Sequence, residues 1–268
     1  QETTMNPMLG FAVKAARRAG DIINRAAENI EQLKIKHKTL NDLVSEVDHA
    51  AEAAIISSLQ KVYPNHAFLA EESGRTGESD YEWIIDPLDG TTNFLHGFPV
   101  YAVSIALSYK KQLQVAVVYD PCRNDLYTAA RGAGAYLNEK RIRVSKRDKL
   151  IDCLIGTGFP FKANSDIDSY TDMFKTIALK TAGIRRPGAA ALDLANVAAG
   201  RLDGFWEIGL SPWDMAAGAL LIKEAGGLVG DLEGEDQFLD SGRIVAGNPK
   251  IFVQLLSALR PHTQKDES

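Results

Sequence analysis

The chemistry of this chain is concentrated in eight residues, Asp86, Pro87, Leu88, Asp89, Gly90, Thr91, Thr92 and Asn93, which follow the apolar run Trp83, Ile84, Ile85. They set two carboxylates and a hydroxyl on a tight turn at the end of a short buried strand, with Pro87 and Gly90 as the punctuation. A helix is expected to start near Gly90 or Thr91, where unpaired backbone N–H groups and the helix dipole favour an anion. Asp86 and Asp89 would repel that anion and each other. Two carboxylates 4 Å apart repel by about 1 kcal/mol at the dielectric of water and about 4 kcal/mol at an effective value near 20. A divalent cation between them resolves the conflict, and an all-oxygen donor set selects Mg²⁺ or Mn²⁺ over zinc.

Alone, Asp89 also reads as a helix cap or the side chain of an Asx turn. Phosphatases of the haloacid dehalogenase type likewise set Asp, Gly and Thr after a strand, but with their acidic pair two apart. Asp86 and Asp89 are three apart, which argues against that type and its aspartyl-phosphate intermediate. Further acids lie elsewhere. Glu71 and Glu72 follow the apolar run 67–70, with Ser73 and Gly74 next, at the end of another expected strand. Asp214 follows Pro212 and Trp213 and precedes Ala216, Ala217 and Gly218, which open a helix continuing to about Ala225. Singly these read as a solvated loop and as a first-turn acid favoured by the dipole.

Together the runs DPLDGTTN at 86–93, AEES at 70–73 and PWDMAAG at 212–218 resemble the three defining motifs of the inositol monophosphatase family. The similarity runs from about residue 8 to about residue 260, takes in AVVYDP at 116–121, the segment 188–207 and EAGG at 224–227, and is greatest to bacterial members. The resemblance implies an α+β fold, a layered αβαβα sandwich with an antiparallel sheet in the N-terminal half and a mixed α/β sheet in the C-terminal half. It also implies a homodimer, Mg²⁺-dependent phosphomonoester hydrolysis with two or three Mg²⁺ per active site, and inhibition by lithium.

Carried over residue by residue, Glu71, Asp86 and the Leu88 carbonyl match the ligands of a first metal, and Asp86, Asp89 and Asp214 those of a second. Such a pair lowers the pKa of the attacking water and neutralises charge on the leaving oxygen. Thr91 and Glu71 match the residues that position and deprotonate that water, and Asp48 the acid that hydrogen-bonds the threonine. Attack is then direct and in line, and no Ser, His and Asp set stands near these acids. On the substrate side the resemblance places Leu88, Asp89, Asp214 and the N–H groups of Gly90 and Thr91 at the phosphate. Glu207 matches an acceptor for an inositol hydroxyl, Gly188, Ala189 and Ala190 a segment lining the sugar ring, and Arg185 a substrate-side arginine of bacterial members. Arg185 reads equally as a solvated or interface cation, and Arg186 equally as part of a dimer interface. Ala189 stands where many animal members have Thr, which weakens strict inositol preference.

Composition agrees with a globular enzyme. At 268 residues, 45% apolar and 8% aromatic, the chain can bury one large core or two fused halves. A net charge of −5 and a pI near 5.6 argue against direct nucleic-acid binding. The locally basic run 140–149, with Arg141, Arg143, Lys146 and Arg147, reads as a solvated hairpin edge guarded by charge. Cys122 and Cys153 lack any metal-ligand spacing and read as free thiols in a reducing compartment. No apolar run suits a membrane span or a signal peptide, so a cytoplasmic protein is expected. Gln1–Thr4 read as additions before a natural start at Met5.

The elements that must position the acids follow from periodicity. Apolar residues at helical spacing run from Met8 to Ala26 and from Val47 to Leu59, and 103–109, 113–119 and 126–130 form an antiparallel meander. Beyond Asp152 short strands at 153–156, 204–207, 228–231 and 244–246 alternate with helices at 169–180, 189–199 and 215–225. This divides the chain into an N-terminal half, 5–148, carrying most metal ligands, and a C-terminal half, 149–262, supplying Asp214 and substrate contacts. Gly132 and Gly134 lack the third glycine of a dinucleotide fingerprint and read as a turn; Gly156, Gly158, Phe159, Pro160 and Phe161 form a loop without a phosphate-binding lysine. Residues 33–42, with Lys34, Lys36 and Lys38, resemble the family's mobile loop near the metals and are assigned no role.

The expected activity is hydrolysis of inositol 1-phosphate to inositol and phosphate. The alternatives are a broader sugar-phosphate or fructose 1,6-bisphosphate phosphatase, a 3′-phosphoadenosine 5′-phosphate phosphatase, and a protein-binding role in ribosomal RNA transcription antitermination, which bacterial members can carry beside catalysis.

Overall fold

The computed structural model describes residues 6–33, 35–39, 42–160 and 167–263, with backbone alone at 32, 35–39 and 42–44. Gln1–Met5, Lys34 and Phe161, on which expectations above fall, lie outside the described residues.

The first half contains α1 (Pro7–Ala27), β1 (Ile35–Thr39), β2 (Asp42–Ser45), α2 (Glu46–Gln60), β3 (Ala67–Ala70), β4 (Gly74–Thr76), β5 (Tyr81–Asp89) and α3 (Thr91–Leu95). It continues through β6 (Ala102–Tyr109), β7 (Gln112–Asp120), β8 (Asp125–Ala130), β9 (Gly134–Leu137) and β10 (Lys140–Arg141). The second half contains β11 (Leu154–Thr157), α4 (Ile167–Ala178), β12 (Gly183–Arg185), α5 (Ala190–Ala198), β13 (Gly204–Ile208) and α6 (Pro212–Glu224). It ends with β14 (Leu228–Gly230), α7 (Phe238–Ser241), β15 (Arg243–Gly247) and α8 (Pro249–Leu259).

Strand periodicity sorts the core into layers. On β5 Trp83 and Ile85 face one way and Ile84 the other; Val103, Ile105, Val115 and Val117 join the first face, and Ala102, Ala106, Ala116 and Val118 the second. The first face packs on α1 and α2 through Ala12, Ala16, Ile23, Val47, Ala51 and Ile55. The second packs on α5 and α6, whose other side meets Phe205, Ile244 and Ala246 of the smaller sheet. Beyond that sheet Trp206, Val245 and Ile155 pack on α4 and α8 through Tyr170, Met173, Ile251 and Leu255. The result is the αβαβα sandwich.

The larger sheet has the order β10-β9-β8-β7-β6-β5-β3-β4, and the smaller β12-β11-β13-β15-β14. Both are mixed. The larger is antiparallel except for β3 beside β5, and that parallel pair brings Glu71, at the end of β3, level with Asp86. The smaller joins parallel β11–β12 and β11–β13 pairs to antiparallel β13–β15 and β14–β15 pairs. Residues read from sequence as a loop at 33–42 instead contribute β1 and β2, an antiparallel ribbon. The basic segment begins as the edge strand β10, with Lys140 and Arg141 exposed. The Gly132–Gly134 turn is pinned by α6, because Glu224 accepts the N–H groups of both glycines at 2.8 Å. Among the described residues no helix is long and apolar enough to cross a membrane, and both cysteines are free.

Helix α8 was not foreseen, although Asn248 and Pro249 announce it: the Asn248 side chain accepts the N–H groups of Lys250 and Ile251. Helix α6 starts earlier than its small-residue run suggested, because Pro212 occupies its first turn and Ser211 forms a capping box with Asp214. The small residues serve packing instead, since a Cβ on Gly218 would overlap the Leu194 side chain of α5. Gly218→Ala should lower unfolding free energy by about 1–3 kcal/mol in a urea titration; an unchanged midpoint would show that α5 can move away without cost.

Candidate active site

The eight-residue motif is not a turn at a strand end. Strand β5 runs on to Asp89, and its pairing with β6 slips by one residue: Asp86 opposes Ser104 and Asp89 opposes Ala102. Pro87 occupies the extra length of this bulge, where a strand tolerates a missing N–H. Inside the bulge the Leu88 N–H donates to Asp86 Oδ1 at 3.0 Å. Gly90 follows with φ +90°, and a Cβ there would come within 2.8 Å of the Val100 carbonyl, so glycine alone fits.

The helix that follows is also shorter than the dipole argument needs. Helix α3 has 5 residues, too few for a substantial macrodipole. The helix start that does receive an anion belongs to α5. Its N-cap residue, Ala189, supplies no side-chain cap, and Asp89 takes that place from another layer, accepting the N–H groups of Ala191, at 2.7 Å, and Ala190. Asp214 is held similarly by α6, accepting the Ser211 N–H at 2.7 Å.

Oxygen atoms of Asp86, Asp89 and Asp214 converge within 4.8 Å of one another. Glu71 adds a fourth carboxyl, hydrogen-bonded to Asp86. Burial, reinforced by Glu71, Asp89 and Asp214, pushes Asp86 well above the usual carboxylate range. Burial and the charge of Asp214 do the same to Asp89, against the N–H bonds from α5. A convergent, all-oxygen, negatively charged set of this kind fits a hard divalent cation such as Mg²⁺ and offers nothing to favour zinc.

Thr91 stands beside this group. Its Oγ1 lies 2.7 Å from Asp48 Oδ1 and 3.0 Å from the Leu88 carbonyl. One hydroxyl proton cannot serve two acceptors, and the shorter, charge-assisted bond to Asp48 claims it. Asp48 is fixed in turn by Ser45, whose N–H and Oγ donate to Oδ2 at 2.8 and 2.7 Å in the box that starts α2. The Thr91 lone pairs and the Leu88 carbonyl are thus presented together as acceptors.

These groups line a cavity of about 440 Å³, together with Gly90, Gly188, Ala189, Ala190 and Glu207. Asp48 lies behind Thr91, outside the lining. Arg185 is also outside it: its exposed side chain turns back on the Ile184 carbonyl at the edge of β12. The arginine in the lining is Arg186, stacked over Phe159 at 5.4 Å from the ring centroid, whereas Arg185, expected on the substrate side, is not part of it. Two adjacent arginines in a sequence do not reveal which turns inward.

Glu207 is 7% exposed and packs against the backbone of Gly158, where a Cβ would overlap its carboxyl. Asn93 received no role from sequence, yet its Nδ2 donates to the carbonyls of Val100 and Pro187, both at 2.8 Å, tying α3 to the Gly188 loop. Asp193, buried on α5, also lines the cavity and was not singled out, because its position in an apolar helix gives no signal of exposure to a site.

Comparison with known proteins agrees with this geometry. The model of the inositol monophosphatase family matches residues 4–264. The Nus factor SuhB of Pseudomonas aeruginosa is 55% identical over 264 residues, covering 96% of this chain and 97% of that protein. A crystal structure of the extragenic suppressor protein SuhB from Bartonella henselae aligns with a TM-score of 0.93 at 44% identity, over 95% of this chain and 99% of that one. The inositol monophosphatase from Anabaena aligns with a TM-score of 0.83 at 37% identity, over 97% of each chain. With the family model spanning nearly its whole length and these relatives aligned end to end, the chain belongs to the inositol monophosphatase family, a family of metal-dependent phosphatases.

Proposed function

We propose that this protein is a Mg²⁺-dependent phosphomonoesterase that hydrolyses inositol 1-phosphate to inositol and phosphate. The observation that carries the reading is the convergence of Asp86, Asp89 and Asp214 within 4.8 Å, with Thr91 locked to Asp48 beside them. Glu71, Asp86, the Leu88 carbonyl, Asp89 and Asp214 would hold the metal. When bound, Mg²⁺ supplies neutralisation of phosphoryl charge and a lowered pKa for the attacking water. Thr91, its proton committed to Asp48, accepts a hydrogen bond from that water and fixes its line of attack. Glu71 takes the proton that the water loses. The N–H groups of Gly90 and Thr91 receive the phosphate, and Glu207 accepts from a hydroxyl of the departing alcohol. Gly188, Ala189 and Ala190 present a small-residue wall to its ring.

Arg186 favours one rival within the same chemistry, because a cation in the lining suits the second phosphate of fructose 1,6-bisphosphate. An adenine platform for 3′-phosphoadenosine 5′-phosphate is less well supported, since Arg186 covers the ring of Phe159. Phosphate release from the three esters with Mg²⁺ tests the order: inositol 1-phosphate should lead, and equal rates on all three would sink the inositol reading. A second reading rests on the name Nus factor SuhB borne by relatives 50–55% identical, and gives this chain a protein partner in transcription antitermination. Asp89→Asn keeps an acceptor for the Ala191 N–H and should cut kcat/KM at least about 100-fold. It should leave partner capture in a pull-down intact, and loss of capture would show that the two roles share the site.

The raised pKa values of Asp86 and Asp89 also set a direction for stability. Both lie well above the usual carboxylate range, so the fold holds protons that the unfolded chain releases. Their contribution is complete below about pH 4 and is lost as pH rises through the raised values. Mg²⁺ competes with those protons, so its stabilisation, about 2.7 kcal/mol at a hundredfold excess over Kd, should grow from pH 5 to pH 8. Melting curves with and without Mg²⁺ at the two pH values check this, and an equal shift at both would remove the carboxyl group as its origin.

A further inference from the structure

We propose that Asp193 is a specificity-determining residue of the cavity, whose carboxyl, near Glu207, receives a hydroxyl of the alcohol half of a polyol phosphate. The proposal rests on the phosphomonoesterase reading above.

Asp193 is 1% exposed on α5, it lines the cavity, and its Oδ1 has no hydrogen-bond partner among the described residues. Neighbouring acids are tied down: Asp86 by the Leu88 N–H, Asp89 by the Ala191 N–H and Asp48 by Ser45 and Thr91. A buried carboxyl without such a bond loses its hydration and gains nothing from the fold. Asp193 lies in the first turn of α5, where the helix dipole favours an acid, but its Oδ1 takes no N–H from that turn. The dipole favours a negative charge in this turn but leaves the buried Oδ1 without a donor, which a ligand hydroxyl would supply.

The chemistry of the surroundings selects the ligand. Asp193 lies outside the group of carboxylates that converge for a cation. Burial first, then the negative charges of Glu207 and Asp89, push its pKa up against the opposing field of Arg186. A phosphate oxygen would be repelled there. A hydroxyl both donates and accepts, and so satisfies the carboxyl whether or not it carries a proton. Between Asp193 and Glu207 the alcohol half of the cavity thus has two acids for two hydroxyls, which a polyol has and a simple aryl ester lacks.

Asp193→Ala and Asp193→Asn, assayed with Mg²⁺ on inositol 1-phosphate and on phenyl phosphate, test this. The Ala variant should lose at least about tenfold more kcat/KM on the inositol ester than on the aryl ester, mainly through KM. Asn, which can still bond a hydroxyl, should restore most of that difference. Both variants should melt at or above the wild-type temperature, because an unpartnered acid has been removed. Equal losses on both esters, no loss on either, or a lower melting temperature with failure to fold in both variants would each overturn the proposal. Calorimetric titration of inositol into wild type and the Ala variant, with Mg²⁺ and inorganic phosphate present, separates the two readings. Asp193-dependent inositol binding without hydrolysis of either ester would sink the phosphatase and keep the hydroxyl site; neither binding nor hydrolysis would sink both.

Discussion

The molecule is organised around the mutual repulsion of Asp86, Asp89, Asp214 and Glu71, four carboxyl groups gathered in one cavity. Within the 4.8 Å that spans Asp86, Asp89 and Asp214, each pair of full charges costs about 3–4 kcal/mol even at an effective dielectric near 20. The fold answers with backbone: Leu88, Ala191 and Ser211 each give an N–H to one of the aspartates at 2.7–3.0 Å. A hydrogen bond to a charged group contributes about 1.5–3 kcal/mol, so three of them offset only part of the repulsion. Protons or a cation must supply the rest. That imbalance is what suits the cluster to take up a cation.

Each of those N–H groups comes from an irregularity at the end of a regular element. Leu88 supplies its own from a bulge in β5, Ala191 from the uncapped start of α5, and Ser211 from the capping box of α6. Helices α5 and α6 lie between the two sheets and meet side chains on both sides, which explains why they are apolar or small nearly all round. Their first turns open at the cavity, so the same burial that fixes the helices fixes the carboxylates. A second line of support runs through α2, where one Ser45–Asp48 box both starts the helix and aims Thr91.

The alcohol side of the cavity is built differently. Its polar groups, Glu207, Asp193 and Arg186, come from a strand, a helix and a connecting segment, with glycines at 158 and 188 keeping the backbone close. Asn93 is the link between the two sides, holding the Gly188 loop from the end of the motif that carries the acids. Helix α5 also serves both sides, since its Ala191 N–H holds Asp89 while Asp193 on its first turn lines the alcohol side.

Local chemistry along the chain was enough to determine the Asp86–Asn93 motif, the acids at 71 and 214, the need for a cation and the alternation of helix and strand. Charge, turn formers and periodicity act over a few residues, so they can be read in order. The bulge in β5 needed the β6 partner to define it, and the capping of α5 by Asp89 joins residues 102 positions apart. Which of Arg185 and Arg186 faces the cavity, and that Asp193 lies in its wall, depended on how β12 and α5 sit against the other layers. A residue's type sets what it can do, but burial and partners decide whether it does so, and those are properties of packing between distant segments.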